Sequence, residues 1–225
     1  MKVALFGASG LLGWSIHNEL ERRGFQSCGY LLGEKQEKRF QSFRSLDLRN
    51  EQKVTRELLD LWPDAIINCA AVSSPDAVNK NPKLADEINV DAAQRLVEIS
   101  AHLGARFVHI STDMVFEGRD EPYRSTDRPC PLSEYGKQKL NAEKRVLAAT
   151  DENVVVLRIT LLNGNSPRGN RSPHERILEC IKNKDPLILF DDKFQNIKVH
   201  FDMHHRYGNL EKAIKLLDEN DRDDF

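Results

Sequence analysis

The chain has 225 residues, a formal charge of −2 and a pI near 6.4. That length suits one sizeable core, and the balanced charge carries no basic footprint for nucleic acid or an anionic membrane surface. Cys28, Cys69, Cys130 and Cys180 are widely spaced with no CxxC pair, which predicts reduced thiols rather than a disulfide frame or a zinc site. The apolar stretch in the opening MKVALFGASG is too short for a secretory signal, and no run approaches the roughly 18 apolar residues of a membrane span, so the expectation is a soluble, cytoplasmic protein.

In chain order, residues 3–6 form an apolar run that predicts a buried strand, and Leu12, Ile16 and Leu20 then recur every fourth position on a helix that Gly24 closes. Residues 25–32 and 43–48 read as strands two and three. A helix over 51–61 carries Val54, Leu58 and Leu61 inward, Pro63 breaks it, and 65–68 is a fourth strand. The periodicity predicts one continuous helix over 83–102 with Leu84, Ile88, Leu96 and Val97 on its apolar side, followed through Gly104 by a strand over 106–111. A helix begun at Tyr135 continues through Glu143, Val146 and Leu147, and 154–159 is a sixth strand of continuous apolar type. Beyond Thr160 come a polar loop over 163–173, a helix over 174–183, a short apolar run at 187–190, a helix near 210–217 and an acidic, solvated tail over 218–224. Strands alternating with helices predict an α/β fold, a parallel sheet wrapped by helices.

Two stretches carry chemistry. Gly7-Ala-Ser-Gly10-Leu-Leu-Gly13 follows the first strand and opens the first helix, so that backbone amides and the helix N-terminus can face a pyrophosphate. Its spacing is GxxGxxG, not the GxGxxG of the usual dinucleotide fingerprint. Glu34 stands about 20 positions on, where an acid holds the ribose of NAD, but Lys35, Lys38 and Arg39 beside it suit a 2′-phosphate, and both NAD(H) and NADP(H) stay open. The second stretch pairs Ser111-Thr112-Asp113 with Tyr135 and Lys139. Tyrosine and lysine four apart share a helix face at about 5–6 Å between Cβ atoms, and the cation is expected to lower the phenol pKa from about 10, making Tyr135 a proton donor.

Taken in order, Gly7–Gly13, Leu46-Asp47-Leu48, Asn68-Cys69-Ala70-Ala71, Ile88-Asn-Val-Asp91, Val108-His-Ile-Ser-Thr-Asp113 and the Pro131 to Leu140 phrase around Tyr135 resemble the extended short-chain dehydrogenase/reductase superfamily. Within it they resemble the group that holds dTDP-4-dehydrorhamnose reductases and the regulatory β subunit of methionine adenosyltransferase, most of all in Ser111-Thr-Asp-Met-Val-Phe-Glu-Gly118. The resemblance covers roughly residues 1–165. It implies a Rossmann-type doubly wound parallel sheet over 1–160 as an NAD(P)-binding domain, interleaved with a small, shortened C-terminal substrate lobe over 161–225. It also implies that Ser9, Gly10, Leu11 and Leu12 line the pyrophosphate, that Asp47 and Leu48 meet the adenine, and that Cys69, Ala70 and Ala71 pass beneath the nicotinamide ribose. Thr112 would hold a substrate carbonyl oxygen, with Tyr135 the proton donor and Lys139 its partner and a ribose ligand. The implied activity is NAD(P)H-dependent reduction of a nucleotide-linked 4-keto-6-deoxy sugar. A regulatory nicotinamide-binding subunit is the alternative, and an epimerase or dehydratase the third reading, disfavoured because only Asp113 follows Thr112 in the dehydratase manner. A homodimer or a regulatory protein partner is compatible with each. No metal is expected; His200, His204 and His205 have a ligand-like spacing without a supporting motif. Arg158 is open between phosphate binding and capping a buried acid, Asp113 between orienting the site and capping a loop, and Ser73, Ser74 and Asp76 between substrate contact and a simple turn.

Overall fold

Val3, Ala4, Leu5 and Phe6 of β1 (Lys2–Phe6) are all buried, the mark of a strand covered on both faces. The computed structural model describes residues 1–33, 38–118, 122–149, 153–169 and 172–184. Around β1 stand β2 (Gln26–Leu31), β3 (Arg44–Ser45), β4 (Ala65–Asn68), β5 (Arg106–Thr112) and β6 (Val154–Ile159), in a six-stranded sheet of order β3-β2-β1-β4-β5-β6. Every pairing is parallel. This is the doubly wound Rossmann order, whose direction reverses between β1 and β4 and opens a ligand crevice at their carboxyl ends.

The helices are α1 (Leu11–Arg22), α2 (Glu51–Leu61), α3 (Pro75–Lys80), α4 (Pro82–Asp86), α5 (Ala92–Leu103), α6 (Glu134–Ala149) and α7 (Pro173–Asn183). Gly24 and Gly104 follow α1 and α5 with φ of +81° and +67°, the left-handed conformation that ends a helix at little cost only for glycine. Because side chains alternate along a strand, each strand feeds two cores. Ala4, Phe6, Ile66 and Phe107 pack with α2, α5 and α6, while Val3, Leu5, Ile67 and Val108 pack with α1, Phe40 and Phe43. Each fully buried Val, Leu or Ile contributes about 1.5–3 kcal/mol.

Three elements depart from the periodicity. The third strand shrinks from 43–48 to Arg44–Ser45, since this edge pairs with β2 alone and the chain turns at Asp47, whose carboxylate accepts from the Arg49 amide at 3.0 Å. The helix expected over 83–102 is interrupted by a π-helical turn at Glu87–Asp91. The extra residue rotates the stripe, so Asn89 and Val90 are buried while Ile88 is only half-buried. The Ser-Ser-Pro-Asp stretch, open between substrate contact and a simple turn, starts α3, with Ser74 Oγ accepting from the Ala77 amide and Pro75 at the first helical position. The apolar run at 187–190, the helix near 210–217, the acidic tail, Glu34, Lys35, and His200, His204 and His205 lie outside the described residues. No helix among the described residues is long and apolar enough to cross a membrane.

The same alternation places polar residues on one face at the carboxyl end of the sheet. Asn68 pairs in register with His109, and Ser111 with Arg158, so all four point to the side that α6 covers. There Glu143 takes Arg158 through Nε at 3.0 and 3.2 Å and Nη2 at 2.7 Å and also accepts from Ser111 Oγ. Arg158 thus caps a buried acid, and both side chains are at most 4% exposed. Replacing Glu143 by Ala strands the guanidinium, so urea unfolding is expected to show a loss of about 3–5 kcal/mol. Replacing both partners by Met and Leu should recover much of it; a loss under about 1 kcal/mol for Glu143→Ala would refute the pairing as a structural clamp.

Candidate active site

Gly7, at φ +76°, turns the chain off β1, and its Gly7 and Ala8 amides both donate to the Tyr30 carbonyl at 3.1 Å. A Cβ at Gly7 would lie 2.8 Å from the Ala70 nitrogen, and one at Gly13 would lie 2.2 Å from the Gly7 carbonyl oxygen. The glycine loop therefore lies directly against the Cys69-Ala70-Ala71 segment that leaves β4, at the point where the strand order reverses. Gly10 precedes α1 with no side-chain cap, and the first turn holds no acidic residue. Since the Trp14 amide is bonded to the Gly10 carbonyl at 2.9 Å, the amides of Leu11, Leu12 and Gly13 lie ahead of the helical ladder, a positive end suited to an anion. Ser9 is half-buried in the same turn.

Asp47 and Leu48 lie between β3 and α2. Asp47 is already paired to Arg49, with Arg49 Nη2 at 2.5 Å, which holds its carboxyl below the usual range. The Leu48 carbonyl accepts from Arg95 Nη1 at 2.9 Å.

The reactive end is built where β5 stops. Thr112 Oγ1 donates to Asp113 Oδ1 at 3.0 Å and accepts from the Met114 amide at 3.2 Å, capping the short 3₁₀ turn Asp113–Val115. The start of α6 sits hard against this turn, and a Cβ on Gly136 would lie 2.3 Å from the Met114 carbonyl oxygen. That contact brings Tyr135 to Asp113. Burial, reinforced by the Asp113 carboxylate, pushes the Tyr135 phenol up to about 12. The expected lowering by Lys139 is not what the site shows, because Lys139 turns inward instead. Its Nζ donates to the Ile110 carbonyl at 2.7 Å and lies 3.1 Å from His109 Nε2, and burial brings it down to about 8. Asp113 is itself raised by burial, so it orients Thr112 and acts on the phenol as well as closing a loop.

Three polar residues that stood inside the quoted motifs without an assigned role, Asn68, Asn89 and His109, are buried beside the site. His109 is fully buried between Lys139 and Asn68, with its Nδ1 3.3 Å from Asn68 Nδ2 and its basicity pushed well down by burial. Asn68 Oδ1 accepts from the Ala70 amide at 3.1 Å. Asn89, delivered by the π turn, accepts from the Val72 amide at 2.8 Å, donates to the Val72 carbonyl at 3.2 Å and donates to Gln138 Oε1 at 2.9 Å. Polar residues at every second position of β5, His109 and Ser111, were the available signal for a polar face. Burial lifts the Cys69 thiol to about 12, so it stays protonated.

The RmlD substrate binding domain family model matches residues 1–196. The methionine adenosyltransferase 2 subunit beta of Pongo abelii is 37% identical over 202 residues, covering 89% of this chain and 55% of that protein. The dTDP-4-dehydrorhamnose reductase of Salmonella typhimurium is 29% identical over 196 residues, covering 86% of this chain and 61% of that protein. Among solved structures, dTDP-4-dehydrorhamnose reductase from Bacillus anthracis in complex with NADP superimposes with a TM-score of 0.70 at 27% identity, covering 83% of this chain and 61% of that one. The chain thus spans little more than half the length of the curated relatives it matches. A family match over residues 1–196, on a sheet of this order with this crevice, makes the chain a member of the RmlD substrate binding domain family.

Proposed function

We propose that this protein binds NADP(H) or NAD(H) across the β1/β4 crevice and reduces a nucleotide-linked 4-keto-6-deoxy sugar. The observation that carries the reading is the meeting of Thr112, Asp113 and Tyr135 at the end of β5, beside an uncapped helix N-terminus with close-packed glycines. The residues present fit the cofactor: the amides of Leu11 and Leu12 would take its pyrophosphate, Cys69, Ala70 and Ala71 would pass beneath its ribose, and Asp47 with Leu48 would close the adenine end. A reduced nicotinamide bound there supplies the hydride that a keto carbon receives.

The chain's own residues do the rest. Thr112 donates to the carbonyl oxygen of the substrate, exchanging its bond to Asp113 for one to the developing alkoxide, and so steadies the charge. Tyr135, protonated throughout the neutral range, delivers a proton to that oxygen, and Lys139, one helical turn on, stabilises the phenolate left behind. The dTDP-4-dehydrorhamnose reductase relatives support this reading at the level of reaction type. A second reading, a nicotinamide-binding regulatory subunit, is favoured by the higher identity, 33–37%, to methionine adenosyltransferase 2 subunit beta.

One experiment separates the two. NADPH and NADH are titrated into the purified protein, dTDP-4-keto-6-deoxyglucose is added, and the nicotinamide absorbance is followed. Oxidation supports the reductase; tight binding without oxidation supports the regulatory reading. For the reductase, Tyr135→Phe is expected to lower kcat by about 10²–10⁴-fold while cofactor affinity changes little, and wild-type turnover in that variant would sink the assignment.

The pH behaviour of the phenol is a separate check. Because the folded-state pKa is raised to about 12, Tyr135 stays neutral below that pH, and the difference in phenolate absorbance between wild type and Tyr135→Phe should rise only near pH 12. Asp113→Asn removes the like charge but leaves the burial, so the rise should move to lower pH yet stay above the value of about 10 for a free tyrosine. No movement would exclude Asp113 as a neighbour of the phenol.

A further inference from the structure

The buried chain Ala70–Asn68–His109–Lys139 has a direction that hydrogen-bond accounting determines. A backbone amide can only donate, so the Ala70 N–H, 3.1 Å from Asn68 Oδ1, obliges the side-chain amide of Asn68 to present its Nδ2–H₂ to His109 Nδ1 at 3.3 Å. His109 Nδ1 must then accept, which puts the imidazole proton on Nε2. That Nε2–H faces Lys139 Nζ at 3.1 Å, and only an uncharged amine has a lone pair to receive it. The same Nζ donates to the Ile110 carbonyl at 2.7 Å, which either protonation state can do.

We propose that Asn68 and His109 are positioning residues that hold Lys139 as a neutral amine in the ligand-free protein and release it to take up a proton when a ligand engages the Ala70 amide. Once a ligand oxygen accepts from Ala70 N–H, Asn68 rotates its amide and offers Oδ1 to the imidazole. The imidazole proton then resides on Nδ1, bonded to Asn68, and Nε2 becomes an acceptor. The proton leaving Nε2 passes to Lys139 Nζ while one from solvent arrives at Nδ1, and the resulting ammonium donates a hydrogen bond to Nε2. One N–H bond is broken at Nε2, one forms at Nδ1 and one at Nζ, and the net change is one proton taken from water. The ammonium that steadies the Tyr135 phenolate is in this way assembled by ligand binding, an inference that rests on the cofactor reading above.

The surroundings are compatible. Burial brings Lys139 down to about 8, so its neutral form is accessible in mildly alkaline solution. From α6, Glu143 opposes that shift, but Arg158 of β6 is bonded to it. From β4, the Cys69 thiol is protonated. Tyr135 on α6 is neutral below about pH 12, and the nearby Asp113, beyond β5, acts on Tyr135. His109 of β5 is held uncharged by burial.

Two measurements test this at pH 8.5. Nitrogen-15 NMR of the imidazole groups in the ligand-free protein should show His109 protonated at Nε2 with a bare Nδ1. In Asn68→Asp, whose carboxylate can accept from Ala70 and from His109 together, the proton should move to Nδ1. Calorimetric titration with NADPH, repeated in buffers of different ionisation enthalpy, should show uptake of more than half a proton per NADPH in wild type. Uptake should fall below about a fifth of a proton in Asn68→Asp and in Lys139→Met, with circular dichroism confirming that both variants are folded. A His109 proton on Nδ1 in the ligand-free wild type overturns the proposal. NADPH binding without proton uptake, or with uptake unchanged in Asn68→Asp, overturns it as well. Absence of any NADPH binding overturns the cofactor reading and the ligand-release half together, while the NMR tautomer still decides whether Lys139 is held neutral.

Discussion

The structure turns on a constraint of strand geometry: a side chain two positions along a strand returns to the same face. Phe6, Ile66 and Phe107 build an apolar layer under α2, α5 and α6, and continuing the same parity toward the carboxyl ends gives Asn68, His109, Ser111 and Arg158. Polar groups buried there without partners would each cost about 1–3 kcal/mol, and the charges more. Helix α6 answers with Lys139 and Glu143, four residues apart and so on one stripe, Lys139 meeting His109 and the Ile110 carbonyl and Glu143 meeting Ser111 and Arg158. The register between α6 and β5 is thereby specified by hydrogen bonding where apolar packing alone would leave sliding cheap. Tyr135, one turn before Lys139, is delivered to the mouth of the crevice by that same register.

The π turn at Glu87–Asp91 works from the opposite side. A regular helix would have kept Ile88 on the inner stripe; the added residue brings in Asn89, whose amide takes both backbone groups of Val72 and reaches Gln138 of α6. Gln138 in turn donates to the Pro82 carbonyl at 3.0 Å. The segment leaving β4 is thus held at Ala70 by Asn68 and at Val72 by Asn89, and both holds lead back to α6. Loops are ordinarily among the less stable parts of a fold; this one is tied down by two asparagines.

Much of this was legible from residue order. The continuous apolar runs of β1, β4 and β6 and the i, i+4 stripe of α2 appear where periodicity puts them, because buried strands and amphipathic helices are dictated by the chain's own pattern. The short β3 was not legible, since Phe43, Leu46 and Leu48 are buried without a second strand to pair with, and burial alone mimics a strand. Nor was the π turn, which depends on what Asn89 finds across the interface with Val72 and Gln138. At the site, Thr112, Tyr135 and Lys139 could be picked out as residue types, but the orientation of Lys139 depended on His109 and Asn68, contacts made across 30 and 41 positions of chain.

The electrostatics of Tyr135 and Lys139 follow from that orientation. Both lie in low-dielectric surroundings, and burial disfavours the charged form of each, so the phenol rises to about 12 while the ammonium falls to about 8. Two groups shifted in opposite senses by one cause are both neutral over an interval between those values, and neutral groups exert little field on one another. Within that interval the charge separation that proton transfer from Tyr135 requires is not stored in the site. In the proposal above it comes from ionisation of Lys139, linked through His109 to the Asn68 amide, which is tied to Ala70 at the reversal point of the sheet. The carboxyl-end crevice of this doubly wound sheet and the buried Lys139 amine are joined by two side chains, Asn68 and His109.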